Sequence, residues 1–336
     1  MGDTSLATQY QLSPYLLTKG VILNLEEESE ILDSLNFDTI KATTVQTYRS
    51  GKMRPVSWRR INKPFGTVIQ GHPEPIMAGM FSFGNTVDVD YLYKEDTTPK
   101  IVDPETDQIK STTTAMARQF NEAWVSNTPQ GNPDAIVGIR HMIDTEFPGQ
   151  KICANPTGLD VLDLSPTGAN YSTNISIFFL MLDKAIEAIH GQKPTLAVCN
   201  STYLTHFASL CRDSGYLKTT EDSLGRVFVE YRGVKFVNAG NTVEDHDDET
   251  GQDLPIITNK ETYNGVVDEA SGNATSIMFA RVDKEHYQPF QFEDLTVDRI
   301  GKLQDGVNYR TVIKWDVGHI VTHRRSLSWL TGLKFM

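Results

Sequence analysis

The chain is poor in cysteine, lacks a long apolar run and carries none of the common nucleotide or hydrolase signatures. Its three cysteines, Cys153, Cys199 and Cys211, form an odd set with no CxxC pair. That excludes a disulfide framework and fits a reducing compartment. The longest apolar stretch, residues 175–182, is interrupted by Ser176 and is too short to span a bilayer. The opening residues lack a basic segment followed by an apolar one, so no secretory signal is expected. GxGxxG, GxSxG and HExxH are absent, and Gly301-Lys302 has neither the earlier Gly nor the following Ser or Thr of a P-loop. These absences remove only the enzymes that linear motifs reveal; no catalytic role, cofactor or membrane partner is expected.

Acidic residues are also missing from one long span. The formal net charge is -12 and the sequence pI about 5.1, yet residues 39–73 contain no Asp or Glu. That span holds Lys41, Arg49, Lys52, Arg54, Arg59, Arg60 and Lys63 among β-formers such as Val45, Tyr48, Val56 and Trp58. Gly and Pro punctuate it, so an extended hairpin or loop is predicted rather than a helix. Acid is concentrated elsewhere, in Glu26, Glu27, Glu28 and Glu30 and again at residues 244–249. Duplex DNA bound over the whole surface is excluded by the charge balance.

With 336 residues and 39% hydrophobic content, the chain is long enough for two domains or one elaborated domain. Residues 1–44 show no long amphipathic period and read as an arm. Helices are predicted over 111–126, over about 172–190 and over 202–214, from apolar residues at helical spacing. Residues 195–199 read as a buried strand. Residues 227–231 and 234–237 flank Arg232-Gly233, a hairpin signal. Strands are predicted over 276–282 and 309–335.

Each motif has a bland reading beside the chemical one. His319 and His323 would share a strand face, but a metal there needs a third ligand, and Arg324 and Arg325 disfavour a cation. A half-exposed strand face is the simpler reading. The acidic loop at 244–249 lacks the alternating ligand order of an EF-hand and reads as solvated. Cys199 and Cys211 fall on apolar faces, where cysteine acts as a small hydrophobe. The basic span has three readings: a solvated hairpin, a nucleic-acid contact with Tyr48 and Trp58 as stacking groups, or an interface with another copy. The acidic runs make the chain self-complementary in charge, which suits a homo-oligomer.

The order of these parts resembles the major capsid proteins of tailed bacteriophages, the Hong Kong 97-type fold. The arm, the basic hairpin and the helix 111–126 match that family's first three parts in order. Asp134-Ala135-Ile136-Val137-Gly138-Ile139 resembles its short Gly-containing piece after the spine helix. Residues 194–215 with 227–240 are similar to its axial strand, helix and hairpin, and residues 311–335 resemble its closing strand.

The resemblance implies an α+β fold with an N-terminal arm at 1–44 and an extended β-loop at 45–100. It also implies a peripheral domain at 101–154 and 275–336 with a spine helix, and an axial domain at 155–274. It implies a structural subunit that self-assembles into hexamers and pentamers of an icosahedral virion shell, made in the bacterial host cytoplasm. Packaged double-stranded DNA would be touched only weakly. A separate scaffolding protein and a portal protein would be partners. Arg49, Lys52, Arg54, Arg59, Arg60, Lys63, Glu26, Glu27, Glu28 and Glu30 are the expected contacts between subunits. A nucleic-acid-binding protein using span 41–63, or a cellular nanocompartment shell of the same fold, is the alternative.

Overall fold

A computed structural model describes residues 14–49, 56, 58–64, 73–95, 104–168, 170–191, 193–221, 224–243, 254–304 and 306–335. The expected arm contains two helices, α1 (Pro14–Glu28) and α2 (Glu30–Ser34). Ser29 separates them: its hydroxyl accepts the Leu32 amide as the N-cap of α2 and donates to Asn121 Oδ1 at 2.7 Å. The helical period of the arm is weak because its apolar residues, Val21, Leu25, Ile31, Leu32 and Leu35, gain burial from the rest of the chain. Tertiary packing, not propensity, stabilises these short helices.

Then come β1 (Asp38–Thr39), β2 (Thr44–Arg49), β3 (Glu74–Gly79), β4 (Phe81–Asp90), α3 (Tyr91–Glu95) and α4 (Pro104–Ser126). Helix α4 begins well before the expected Ser111. Pro104 suits a first turn, where its missing N–H costs nothing, and Glu105 and Asp107 complement the helix dipole there. That first turn is polar, so apolar spacing alone does not reveal it. Next are α5 (Ile139–Thr145), β5 (Lys151–Cys153), β6 (Leu162–Asp163), α6 (Tyr171–Ala188), β7 (Leu196–Cys199) and α7 (Ser201–Asp213). Asn200 caps α7 by accepting the Thr202 amide at 2.8 Å. Strands β8 (Lys218–Glu221), β9 (Val227–Tyr231) and β10 (Val234–Asn238) follow. Arg232 and Gly233, with φ of 51° and 82°, form the two-residue turn that the hairpin signal predicted. The chain closes with β11 (Thr275–Ala280), β12 (Tyr287–Gln291), β13 (Thr296–Lys302), β14 (Asn308–Val321) and β15 (Leu327–Lys334).

Among the described residues these strands form two large sheets and one hairpin. One sheet has five strands in the order β1-β12-β14-β13, with β4 also paired to β14. The other has eight, in the order β5-β15-β11-β7-β10-β9-β8, with β6 also paired to β15. The hairpin joins β2 to β3, with Thr44 opposite Gly79 and Arg49 opposite Glu74. Strands β11 and β15, both from the portion 275–336, are inner strands of the eight-stranded sheet. Strand β4, placed within the extended loop 45–100, runs along β14 from Asp90 opposite Asn308 to Phe81 opposite Val317. Sequence proximity is a poor guide here because sheet partners are chosen by burial.

The eight-stranded sheet is covered on both faces. In β7, Leu196 and Val198 face a core shared with α1, α2 and α4, while Ala197 and Cys199 face the core under α6 and α7. This two-sided burial follows from the strand period of two and explains why β7 and β11 read as continuous apolar runs. Trp124 of α4 and Tyr287 of β12 are both buried, and the indole N–H donates to the phenol oxygen at 2.6 Å.

Two buried polar features constrain the fold. Glu261 is fully buried and ion-pairs with Arg140, which also reaches Ser276 Oγ at 3.3 Å and lies over the Trp329 ring. Burial pushes the Glu261 carboxyl up, and the Arg140 guanidinium opposes that shift. Gly138 donates its N–H to Asn127 O, and a Cβ there would meet Asn127 N at 2.6 Å. Only glycine fits that close approach of the segment to the end of α4.

Arg140→Met should lower stability by about 3–5 kcal/mol, because it leaves the Glu261 charge buried and unpaired, and adding Glu261→Leu should recover most of the loss. Urea unfolding of the three variants checks this. His319 is held down to about 4, chiefly by desolvation, with a hydrogen bond to the Val137 backbone opposing. The unfolded chain therefore takes up a proton there that the folded chain refuses. Stability should fall as pH drops from about 6.5 toward 4, and His319→Gln should flatten that part of the profile. Thermal melts across the pH range read this directly.

Candidate assembly interface

The hairpin is the feature with least support of its own. Its two strands alternate exposed and half-buried positions, and Tyr48 and Met77 are exposed. Beyond the strands, residues 56 and 58–64 are all exposed, including Val56, Trp58 and Ile61. Asn62 takes a left-handed φ of 64°, and Lys63 N donates to Arg60 O at 3.1 Å, which turns the chain there. Arg59, Arg60 and Lys63 are exposed in this segment, and Arg59 Nη1 donates to Lys63 O. Lys52 and Arg54 lie outside the described residues, as does the acidic loop at 244–249.

Three exposed large apolar groups interspersed with three exposed cations have the composition of a protein-interface patch. Trp58, expected as a stacking group, is exposed together with Val56 and Ile61. The apolar residues inside an otherwise core-poor segment were the available signal.

The base of the hairpin is anchored to its own chain. Arg49 is buried: Nε and Nη2 donate to Val321 O, Nη2 pairs with Glu146 at 3.0 Å, and the guanidinium lies over the Phe147 ring. Opposite it, Glu74 pairs with Arg324 at 2.7 Å, which holds the Glu74 carboxyl below its usual range. Arg49, expected to contact a neighbouring copy from its place in the basic span, thus fixes the angle at which the hairpin leaves the body.

The acidic run divides in the same way. Glu27 and Glu28 are exposed, and Glu26 is half-buried. Glu30 instead accepts the Asn238 amide at 2.6 Å. Burial raises its carboxyl, with Asn238, Arg226 and Lys235 pulling the other way. Nearby, Asp33 pairs with Arg226 at 3.2 Å and Lys235 at 3.4 Å, and Arg226 also donates to the Glu26 carbonyl. Among the described residues, Asp33 of the arm thus meets cations of its own chain, one just before β9 and one in β10.

Chemically reactive groups are quiet. Burial pushes the Cys153, Cys199 and Cys211 thiols up, Cys211 to about 12, so none of the three is a thiolate at neutral pH. His319 and His323 do not share a strand face, because β14 ends at Val321 and His323 sits in the following turn. No helix of the described residues is long and apolar enough to cross a membrane.

No protein-family model matches the chain, and no curated protein matches it. Solved structures do match. The holo-SrpI encapsulin complex from Synechococcus elongatus PCC 7942 aligns over 90% of this chain and 87% of its own, at 13% identity and a TM-score of 0.55. A structure from Mycobacterium phage Adephagia aligns over 92% and 91%, at 10% identity and a TM-score of 0.56. The capsid of a native GTA particle aligns over 91% and 90%, at 13% identity and a TM-score of 0.52. The fold is thus the α+β Hong Kong 97-type shell fold, shared over the length of the chain.

Asp33→Ala should loosen the arm, because it removes the carboxylate that Arg226 and Lys235 share. Limited proteolysis should then cut between residues 14 and 35 several-fold faster than in the parent chain, while the rest of the fold keeps its melting profile.

Proposed function

We propose that this chain is the structural, non-enzymatic subunit of a closed icosahedral shell, assembled from hexamers and pentamers, that encloses the double-stranded DNA of a tailed phage. The observation that carries the reading is the segment between the hairpin strands: Val56, Trp58 and Ile61 are exposed beside Arg59, Arg60 and Lys63, and none of the described residues 56 and 58–64 is buried. Laid across a neighbouring subunit, those apolar groups would leave water, and the cations would meet acidic surface. Glu27 and Glu28 are exposed and supply such surface on every copy. Glu26 adjoins them, and Lys52 and Arg54 belong to the same basic span. Each copy would then present both halves of the contact, and closure of the shell would repeat it many times.

The shell fold in phage, GTA and encapsulin structures supports self-assembly. A separate scaffolding protein and a portal protein would be needed for a phage particle, and a virion is where the assembled protein would reside. A net charge of -12 suits a wall that faces nucleic acid without adhering to it.

The alignment with an encapsulin over 90% of the chain favours a second reading of the same fold, a cellular nanocompartment. The two differ in contents. Particles purified from the native cell should contain double-stranded DNA under the first reading and a protein cargo under the second.

Trp58→Ser with Ile61→Ser, and separately Arg59→Glu with Arg60→Glu, should leave a folded subunit with an unchanged melt but abolish or greatly reduce particles. Electron microscopy of the expressed protein, alone and with a scaffold, measures this. Normal particles from both double variants would remove this segment from the interface.

A further inference from the structure

Three histidines distant in sequence meet where the chain passes between its two sheets. His190 follows α6, His286 lies in the turn between β11 and β12, and His323 lies in the turn between β14 and β15. The latter two turns are crossings: β11 and β15 belong to the eight-stranded sheet, β12 and β14 to the five-stranded one. One potential ligand atom of each imidazole lies within 4.8 Å of those of the other two. The His190 and His323 rings stack at 4.4 Å, and the His286 and His323 centroids are 5.2 Å apart.

The backbones beneath them are tied together. Thr322 N donates to His286 O at 2.8 Å, His190 N to Arg325 O at 2.9 Å, and Arg281 N to Ser326 O at 2.9 Å. The rings therefore stand on a joined frame.

His286 shows what the cluster is suited to. It is buried, and its Nδ1 lies 2.8 Å from Asp283 Oδ1. With the proton on Nδ1 and directed at that carboxylate, Nε2 carries a bare lone pair. Nε2 is buried and has no hydrogen-bond partner among the described residues. A carboxylate behind a histidine whose other nitrogen is unpartnered is the arrangement that orients a metal ligand and raises its basicity.

We infer that His190, His286 and His323 form a binding site for a divalent transition-metal ion of the zinc class. Imidazole donors suit zinc, nickel and copper, whereas magnesium and calcium require oxygen ligands. Tetrahedral ligand nitrogens about 2.1 Å from zinc lie roughly 3.4 Å apart, so the rings must draw in. His190 is exposed and has the freedom to do so. His323 accepts the Arg325 amide on Nδ1 at 3.1 Å and gives up that bond when it ligates through Nε2.

Two cations adjoin the site, and both are engaged elsewhere. Arg281 pairs with Asp283 at 2.7 Å and donates to His190 O, and Arg325 donates to the carbonyls of Glu187 and Ala188. A bound ion would join both crossings to the end of α6 and so clamp one sheet against the other.

The test is metal uptake by the full chain after chelator treatment and dialysis against Zn2+. About one ion per chain should be retained, and Tm should rise with Zn2+ but not with Mg2+. Substitution by Co2+ should give visible absorption of a nitrogen-ligated site. His190→Ala, at an exposed position, should leave the metal-free Tm unchanged and weaken Zn2+ binding at least tenfold, and His323→Ala should do the same to binding. Failure of the parent chain to retain zinc, or equal retention and an equal Tm rise in both variants, would overturn the site.

Discussion

Strand β14 is the constraint on which the rest of the molecule depends. Over its 14 residues it pairs with β4 along one edge and with β13 and then β12 along the other. The base of the projecting hairpin is set on it as well. Arg49 reaches Val321 O, and Gly318 lets Gly79 approach, since a Cβ there would meet Gly79 O at 2.7 Å and the Phe290 ring at 2.5 Å. One long strand thus carries the five-stranded sheet, sets the direction of the hairpin and then crosses into the second sheet as β15. A change in its register would turn every inward side chain outward at once.

The hairpin shows how assembly chemistry can be stored in a monomer. Its base is satisfied within the chain, by the Arg49–Glu146 and Glu74–Arg324 pairs. Its described outer residues, 56 and 58–64, are all exposed and include both apolar and cationic groups. An anchored base with exposed apolar groups beyond it combines a settled orientation with surface still open to burial, the condition on which the proposed contact rests. The charge partition serves both ends. Part of the acid in the arm is used internally, through Glu30 and Asp33 against Arg226, Lys235 and Asn238, and part remains exposed at Glu27 and Glu28.

Much of this was legible in the residues. Apolar spacing located α6 and α7, Arg232-Gly233 marked its hairpin, and the acid-free span marked the projecting segment. What escaped had a shared cause. The arm helices are helical because Asn121, Arg226 and the core against α4 receive them. The start of α4 is polar, and Glu105 is buried there beside Arg299 at 3.0 Å. The partition of β11 and β15 into the second sheet follows from burial on both faces, a quantity no local pattern carries.

By itself, then, the sequence determined the element types, the cysteine-poor and acidic character, and the segregation of cations into one span, because period, composition and turn residues are local properties. Only the tertiary structure decided which charges are internal. It turned Arg49 inward, set Glu30 against the Asn238 amide while Glu27 and Glu28 stayed exposed, buried Glu261 against Arg140, and brought His190, His286 and His323 together from three separate segments. Those outcomes depend on the close approach of residues far apart in sequence, and the energies that select them, desolvation and ion pairing, exist only once the chain has closed around them.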